Sequence, residues 1–190
     1  MQIVHIFGSD AGPQEGEGLW AVKYDQKDGH AFREFFDRMN NPQWVSNFCL
    51  TNLGDIQTKF GYPITMEEAA LQLMKEARAL KAKIVTYAKG GIPGKTLQEI
   101  FKPLHNSESN LVELQLSKGS DKSTTFNPKV RMYAVRFSPM TYIVTGGAIK
   151  LTHFMKERAH TENELNKMER VRTWLKDLGV YFPQDLVDLP

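Results

Sequence analysis

Residues 131–160, "RMYAVRFSPMTYIVTGGAIKLTHFMKERAH", decide how this chain folds. The stretch is rich in β-branched and aromatic residues and alternates through "RMYAVRF", so strands are expected on either side of the turn residues "SPM". Gly146 and Gly147 interrupt its most β-prone part and admit two readings. In the first, Gly-Gly is a two-residue turn with positive φ at both positions, which makes "YIVT" and "AIKLT" antiparallel partners. In the second, the strand runs on through a bulge, and the glycines leave a bare patch that another backbone or a phosphate can approach. Spacing alone leaves both open.

Alternation sorts the side chains that follow from either reading. Arg131, Tyr133, Val135 and Phe137 share one side of their strand, and Met132, Ala134 and Arg136 share the other. Lys118 ends the preceding strand-like run "LVELQLSKG", Lys150 alternates with Ile149 and Leu151, and His153, Lys156 and Arg158 close the stretch. On a concave sheet face, Lys118, Arg131 or Arg136, Lys150 and Lys156 would converge on an RNA backbone, whose phosphates would supply most of the affinity. Taken singly, each lysine is more often a solvated charge. His153 sits within a few residues of two cations. Neighbouring positive charge lowers an imidazole's pKa and favours the neutral base, which suits proton abstraction from a ribose 2′-hydroxyl. The bland alternative is a histidine hydrogen-bonded at a strand end.

Upstream, "QIVHIF" and "LWAVKYD" are β-prone runs around the glycine-rich loop "GSDAGPQEGEG", a hairpin pattern. Phe32, Phe35, Phe36 and Met39 recur at helical spacing, and Pro42 opens a second helical segment through Phe60 with Trp44, Val45, Phe48, Leu50 and Leu53 as its expected core. Thr65 followed by Glu68 is a capping box for a helix with the stripe Ala69, Leu73, Ala77 and Leu80. "KIVTYA" reads as strand or extended chain before the loop "KGGIPGKT". That loop is no phosphate loop, because Lys89 stands where the first glycine must be and the ring of backbone donors is one residue short. Thr161 and Glu164 suggest a second capping box for the last helix, which Gly179 stops.

Strands gathered after helices, not alternating with them, predict an α+β fold: helices packed on an antiparallel sheet, with an N-terminal hairpin and a C-terminal helix. The 190 residues fit one domain. Within residues 1–190 the core is expected over about 28–176, with an insertion at about 83–110. No apolar run approaches the roughly 18 residues of a membrane span, and no basic segment precedes the apolar start, so a cytoplasmic protein without a signal peptide is expected. Cys49, the only cysteine, lies in the apolar run "WVSNFCL" and reads as a buried thiol. His5, His30, His105 and His160 show no metal-ligand spacing, so no metal and no cofactor are expected. Net charge is +2, but from Glu113 to Lys176 twelve Lys and Arg face six Asp and Glu, which leaves that part at +6 and the remainder at −4. A local excess of this kind attracts anionic partners by its field.

The segments "LVELQLSKG", "VRMYAVRF" and "AIKLTHFMKERAHTENELNKMERV" together resemble the C-terminal half of the RelE/ParE/HigB superfamily of bacterial toxins. The match covers Leu111 to Leu116, Arg131 to Phe137 and Ile149 to Arg158. The resemblance implies a compact antiparallel sheet with helices on it and, in the RelE branch, a metal-independent endoribonuclease that cleaves messenger RNA under control of an antitoxin protein. The substrate's 2′-hydroxyl then attacks the adjacent phosphate, and the protein supplies a base, an acid and cations. Carried over, His153 is base or acid. Arg136, or Arg131 in its place, holds the phosphate with Lys156, Tyr133 stacks a base, and Lys118, Lys150 and Arg158 add nucleic-acid contacts. ParE-like members share the fold and target DNA gyrase, so a non-catalytic protein-binding relative is the alternative. The doubled cation expected after the last strand is here interrupted as Lys156-Glu157-Arg158, and the chain is nearly twice the usual toxin length.

Overall fold

The computed structural model describes residues 1–8, 18–104, 114–123, 125, 127–187 and 189. The glycine-rich loop at 9–17, the start of "LVELQLSKG" and residues 105–110 of the expected insertion, with His105, lie outside the described residues. The fold is α+β, built on one six-stranded sheet in the order β1-β2-β6-β5-β4-β3. Its strands are β1 (Gln2–Phe7), β2 (Leu19–Lys23), β3 (Phe101–Pro103), β4 (Gln115–Gly119), β5 (Val130–Arg136) and β6 (Tyr142–Ile149). All pairings are antiparallel except β2 with β6, where Leu19 faces Tyr142. The hairpin β1–β2 therefore extends the main sheet, beside β6.

Helices α1 (Ala31–Met39), α2 (Pro42–Thr51), α3 (Leu53–Phe60) and α4 (Met66–Ala88) cover one face, and α5 (Ala159–Asp177) covers the other. Alternation along β5 makes this possible. Met132 and Ala134 pack with Phe35, Phe36, Leu73 and Ile84 on the first face, while Tyr133 and Val135 pack with Met168, Val171 and Leu175 on the second. The capping box at α4 forms as its sequence dictates: Glu68 N donates to Thr65 Oγ1 (3.2 Å) and Thr65 N donates to Glu68 Oε2 (2.9 Å).

Three elements differ from their sequence reading. The segment after Pro42 is two helices, because the chain breaks at Asn52, whose side-chain amide donates to the Phe48 carbonyl (2.8 Å). The buried stripe is Val45, Cys49, Ile56 and Phe60, while Leu50 is 58% and Leu53 37% exposed. "KIVTYA" is the last turn and a half of α4, where Ile84, Tyr87 and Ala88 continue its buried stripe. Thr161 is no N-cap: α5 starts at Ala159, and the Thr161 hydroxyl hydrogen-bonds the carbonyls of Met155 and Arg158 instead. Glu164 does not cap either, and lies 4% exposed against β6.

The glycine pair follows the second of its two readings: β6 runs straight through and the turn does not form. Register with β5 slips by one residue: Tyr133 faces Gly146 and Ala134 faces Val144, so Thr145 is the extra residue of a bulge. Thr145 Oγ1 donates to the Tyr133 carbonyl (3.3 Å), and the Thr145 carbonyl accepts from Tyr24 Oη (2.7 Å). Both glycines are needed for helix approach. A Cβ on Gly146 would stand 1.9 Å from Glu164 Oε2 of α5, and one on Gly147 would stand 2.7 Å from the Phe35 ring of α1.

Candidate functional site

The bulge decides which way Lys150 points. Without it, strict alternation would put Lys150 on the same face as Tyr142 and Val144, against α1. With the extra residue, Gly146, Ala148 and Lys150 share the α5 face instead, and Lys150 N continues the ladder to the Lys129 carbonyl (2.7 Å). Arg131 pairs with Ala148, and Lys118 pairs with Tyr133. Lys118, Arg131 and Lys150 therefore stand on adjacent rungs of one sheet face.

These three cations, with Tyr133, enter a cavity of ≈ 500 Å³. The segment His153–Glu157 and Leu165 of α5 form its opposite wall, so His153 and Lys156 line the same cavity. Six of the eight residues singled out from sequence thus meet here. Arg136 and Arg158 do not. Arg136 pairs with Tyr142 on the opposite face, is 7% exposed, and donates to Gln98 Oε1 (3.1 Å) and the Ser138 carbonyl (3.3 Å). Arg158 turns away to Asp55 of α3, which it grips through two hydrogen bonds of 2.6 and 2.7 Å.

Fixed acceptors hold the lysines in place. Lys118 Nζ donates to the Leu104 carbonyl (2.8 Å), and Lys150 Nζ donates to the carbonyls of Thr152 (2.7 Å) and His153. Arg131 differs: its Nη1 is buried and has no hydrogen-bond partner among the described residues, nor has the buried hydroxyl of Tyr133. Glu157 is the only carboxylate lining the cavity among those residues, and one of its oxygens accepts from the backbone amide of His153 (3.1 Å). The imidazole of His153 is exposed and meets Phe154 edge-on at 4.5 Å.

Electrostatics follow from this crowding. Burial, then the charges of Lys59, Arg131 and Lys118, push Lys150 down to about 8, against a smaller opposing pull from Glu157. Burial and Arg131 also lower Lys118, and burial lowers Arg131 itself. Lys59, on α3, was not legible as a site neighbour because nothing local in its sequence ties it to strands so far along the chain. The cavity is a desolvated positive site with an apolar wall of Leu104, Tyr133, Phe154, Met155 and Leu165. Such a site takes an anion that carries a flat or apolar body. Elsewhere, Cys49 is fully buried and its thiol is pushed up to about 11 by that burial, so it is inert. Among the described residues, no group of three His, Cys, Asp or Glu side chains is placed to hold a metal ion, and no helix is long and apolar enough to cross a membrane.

No family model, curated protein or solved structure matches this chain. The functional reading rests on the cavity.

Proposed function

We propose that this chain is an RNA-binding protein of the toxin type, which seats a backbone phosphate of single-stranded RNA against Arg131, Lys118 and Lys150, with a base against the exposed ring of Phe154, since Tyr133 is 1% exposed and packed in the core. The observation that carries the reading is Arg131, which lines a cavity where cations outnumber carboxylates and keeps a buried Nη1 with no hydrogen-bond partner among the described residues. A phosphate on the guanidinium would relieve the repulsion among the cations. His153 and Lys156 line the same cavity. In the proposed reaction, His153 accepts the proton of the 2′-hydroxyl as that oxygen attacks the adjacent phosphorus. The cations stabilise the phosphorane, and the 5′-oxygen leaves with a proton from water or a protonated group, which gives a 2′,3′-cyclic phosphate. An RNA substrate implies a cytoplasmic site of action.

Equilibrium binding of a short single-stranded RNA tests this. One seated phosphate predicts a slope of log affinity against log salt of about −0.7, and each further phosphate neutralised, for example by Lys156, adds about as much. Arg131→Ala should weaken binding about tenfold or more and flatten that slope. Wild-type binding without cyclic-phosphate products would leave a non-catalytic RNA reader. Equal binding by the Arg131→Ala variant would refute the reading.

A further inference from the structure

A second depression lies immediately beyond the cavity wall. The residues after Lys156 and Glu157 are Arg158, Ala159 and His160, and these face α2 across a groove of ≈ 460 Å³ lined there by Trp44, Asn47 and Phe48. Its walls are aromatic and already arranged for stacking. Trp44 and Phe48 lie face to face at 5.8 Å with 23° between their planes, and the His160 ring meets Phe48 edge-on at 5.2 Å. The His160 ring is fixed by a hydrogen bond between its Nε2 and the Ile149 carbonyl (2.9 Å) at the end of β6. Arg38 of α1 holds its guanidinium 5.6 Å from the Trp44 ring centre, which places a cation beside the stack. Arg158 contributes shape more than charge, because Asp55 neutralises it and fixes its plane.

We infer that the Trp44–Phe48–His160 groove is a base-stacking subsite for the same single-stranded RNA whose phosphate enters the Arg131 cavity. The inference rests on the proposed function of that cavity. The two depressions share the chain segment His153–His160 as their divider, and three or four residues of backbone span only about 10 to 14 Å, within reach of one oligonucleotide. Alternation of a cationic seat with stacked aromatic rings is the pattern by which proteins hold single strands with little regard for sequence. The predicted ligand is therefore longer than a dinucleotide and unpaired, since a base held in a duplex cannot lie on Trp44.

RNAs of two and six nucleotides bound to wild type, Trp44→Ala and Trp44→Phe test the subsite. Lengthening the RNA should raise wild-type affinity and quench fluorescence that Trp44→Phe lacks. Trp44→Ala should lose about tenfold in affinity for the hexamer and nothing for the dimer, and Trp44→Phe should keep most of the hexamer affinity. Unchanged dimer affinity also shows that the variant is folded. Three results would overturn the inference. Equal hexamer binding by wild type and Trp44→Ala would remove the subsite and leave the cavity intact. A hexamer with abasic sites beyond its second position that bound undiminished would show that the groove does not take bases. Absence of any RNA binding by wild type would remove the cavity reading and this one together.

Discussion

Gly146 and Glu164 fit together only because one of them has no side chain: the carboxylate of α5 occupies the space a Cβ on β6 would take, 1.9 Å from Oε2. This contact, and that of Gly147 with Phe35, lets two helices close on opposite faces of one bulged strand. Gly146→Ala should destabilise the fold by about 1 to 3 kcal/mol in urea unfolding. Truncating the opposing group as well, in Gly146→Ala with Glu164→Ala, should recover part of that loss. Strict additivity of the two single substitutions would show that they do not share this space.

Glu164 is buried with one oxygen unpartnered among the described residues, and burial raises its pKa above the ordinary carboxylate range despite Lys167 at 2.6 Å. The folded state therefore binds this proton more readily than the unfolded chain, and the associated stability falls as pH rises above the ordinary glutamate range. Glu164→Gln should flatten that decline. A wild-type profile that rose through the same pH range, with no change on substitution, would contradict this.

Glu76 of α4 ties the helical layer to the start of β5. Its Oε2 accepts from the backbone amides of Lys129 (2.7 Å) and Val130 (3.1 Å), and its Oε1 lies 3.6 Å from Lys129 Nζ, with both side chains 7% exposed. Glu76→Ala should cost about 3 to 5 kcal/mol, since it leaves two buried amides without their acceptor and a buried ammonium without its counter-charge. Thermal and denaturant unfolding measure this, and a loss below ~1 kcal/mol would show that water replaces the carboxylate.

Lys150 gives the cavity a pH dependence of defined sign. Its folded pKa of about 8 lies below the ordinary lysine value, so between about 8 and ~10.4 the unfolded chain binds more protons and stability rises with pH. Ligand affinity runs the other way. An RNA phosphate favours the charged amine, so affinity should be full below about 8 and decline as pH rises through it, while Lys150→Met should bind weakly and without that step. Burial leads this shift, Lys59, Arg131 and Lys118 add to it, and Glu157 opposes it. A flat affinity from pH 7 to 9 in wild type would show that Lys150 does not face the ligand.

Local signals were legible in the sequence, and signals made by the tertiary fold were not. The Thr65–Glu68 box and the alternation of β5 are properties of a few adjacent residues, and both form as expected. Thr161 and Glu164 carry the same box pattern, but burial of Glu164 against Gly146 claims the carboxylate that a cap would use. The choice between Arg131 and Arg136 was open because it depends on which sheet face meets α5. Arg158 was lost to Asp55, a partner 103 residues away. Lys150 reached the cavity through Thr145, whose bulge is fixed by Tyr24, Tyr133 and the two helices, none of which lies next to it in sequence. Trp44 and His160 read as an ordinary core aromatic and an isolated histidine until α2 and the start of α5 were seen to face each other.

The central claim is that Arg131 waits for a phosphate. A crystal structure of the protein with a single-stranded RNA hexamer, blocked against cleavage by a 2′-O-methyl group at each position, tests it most directly. The account predicts a phosphate oxygen within hydrogen-bond distance of the Arg131 guanidinium, with Lys118 and Lys150 beside it. RNA bound on another surface while the cavity between β5 and His153 holds only solvent would contradict it.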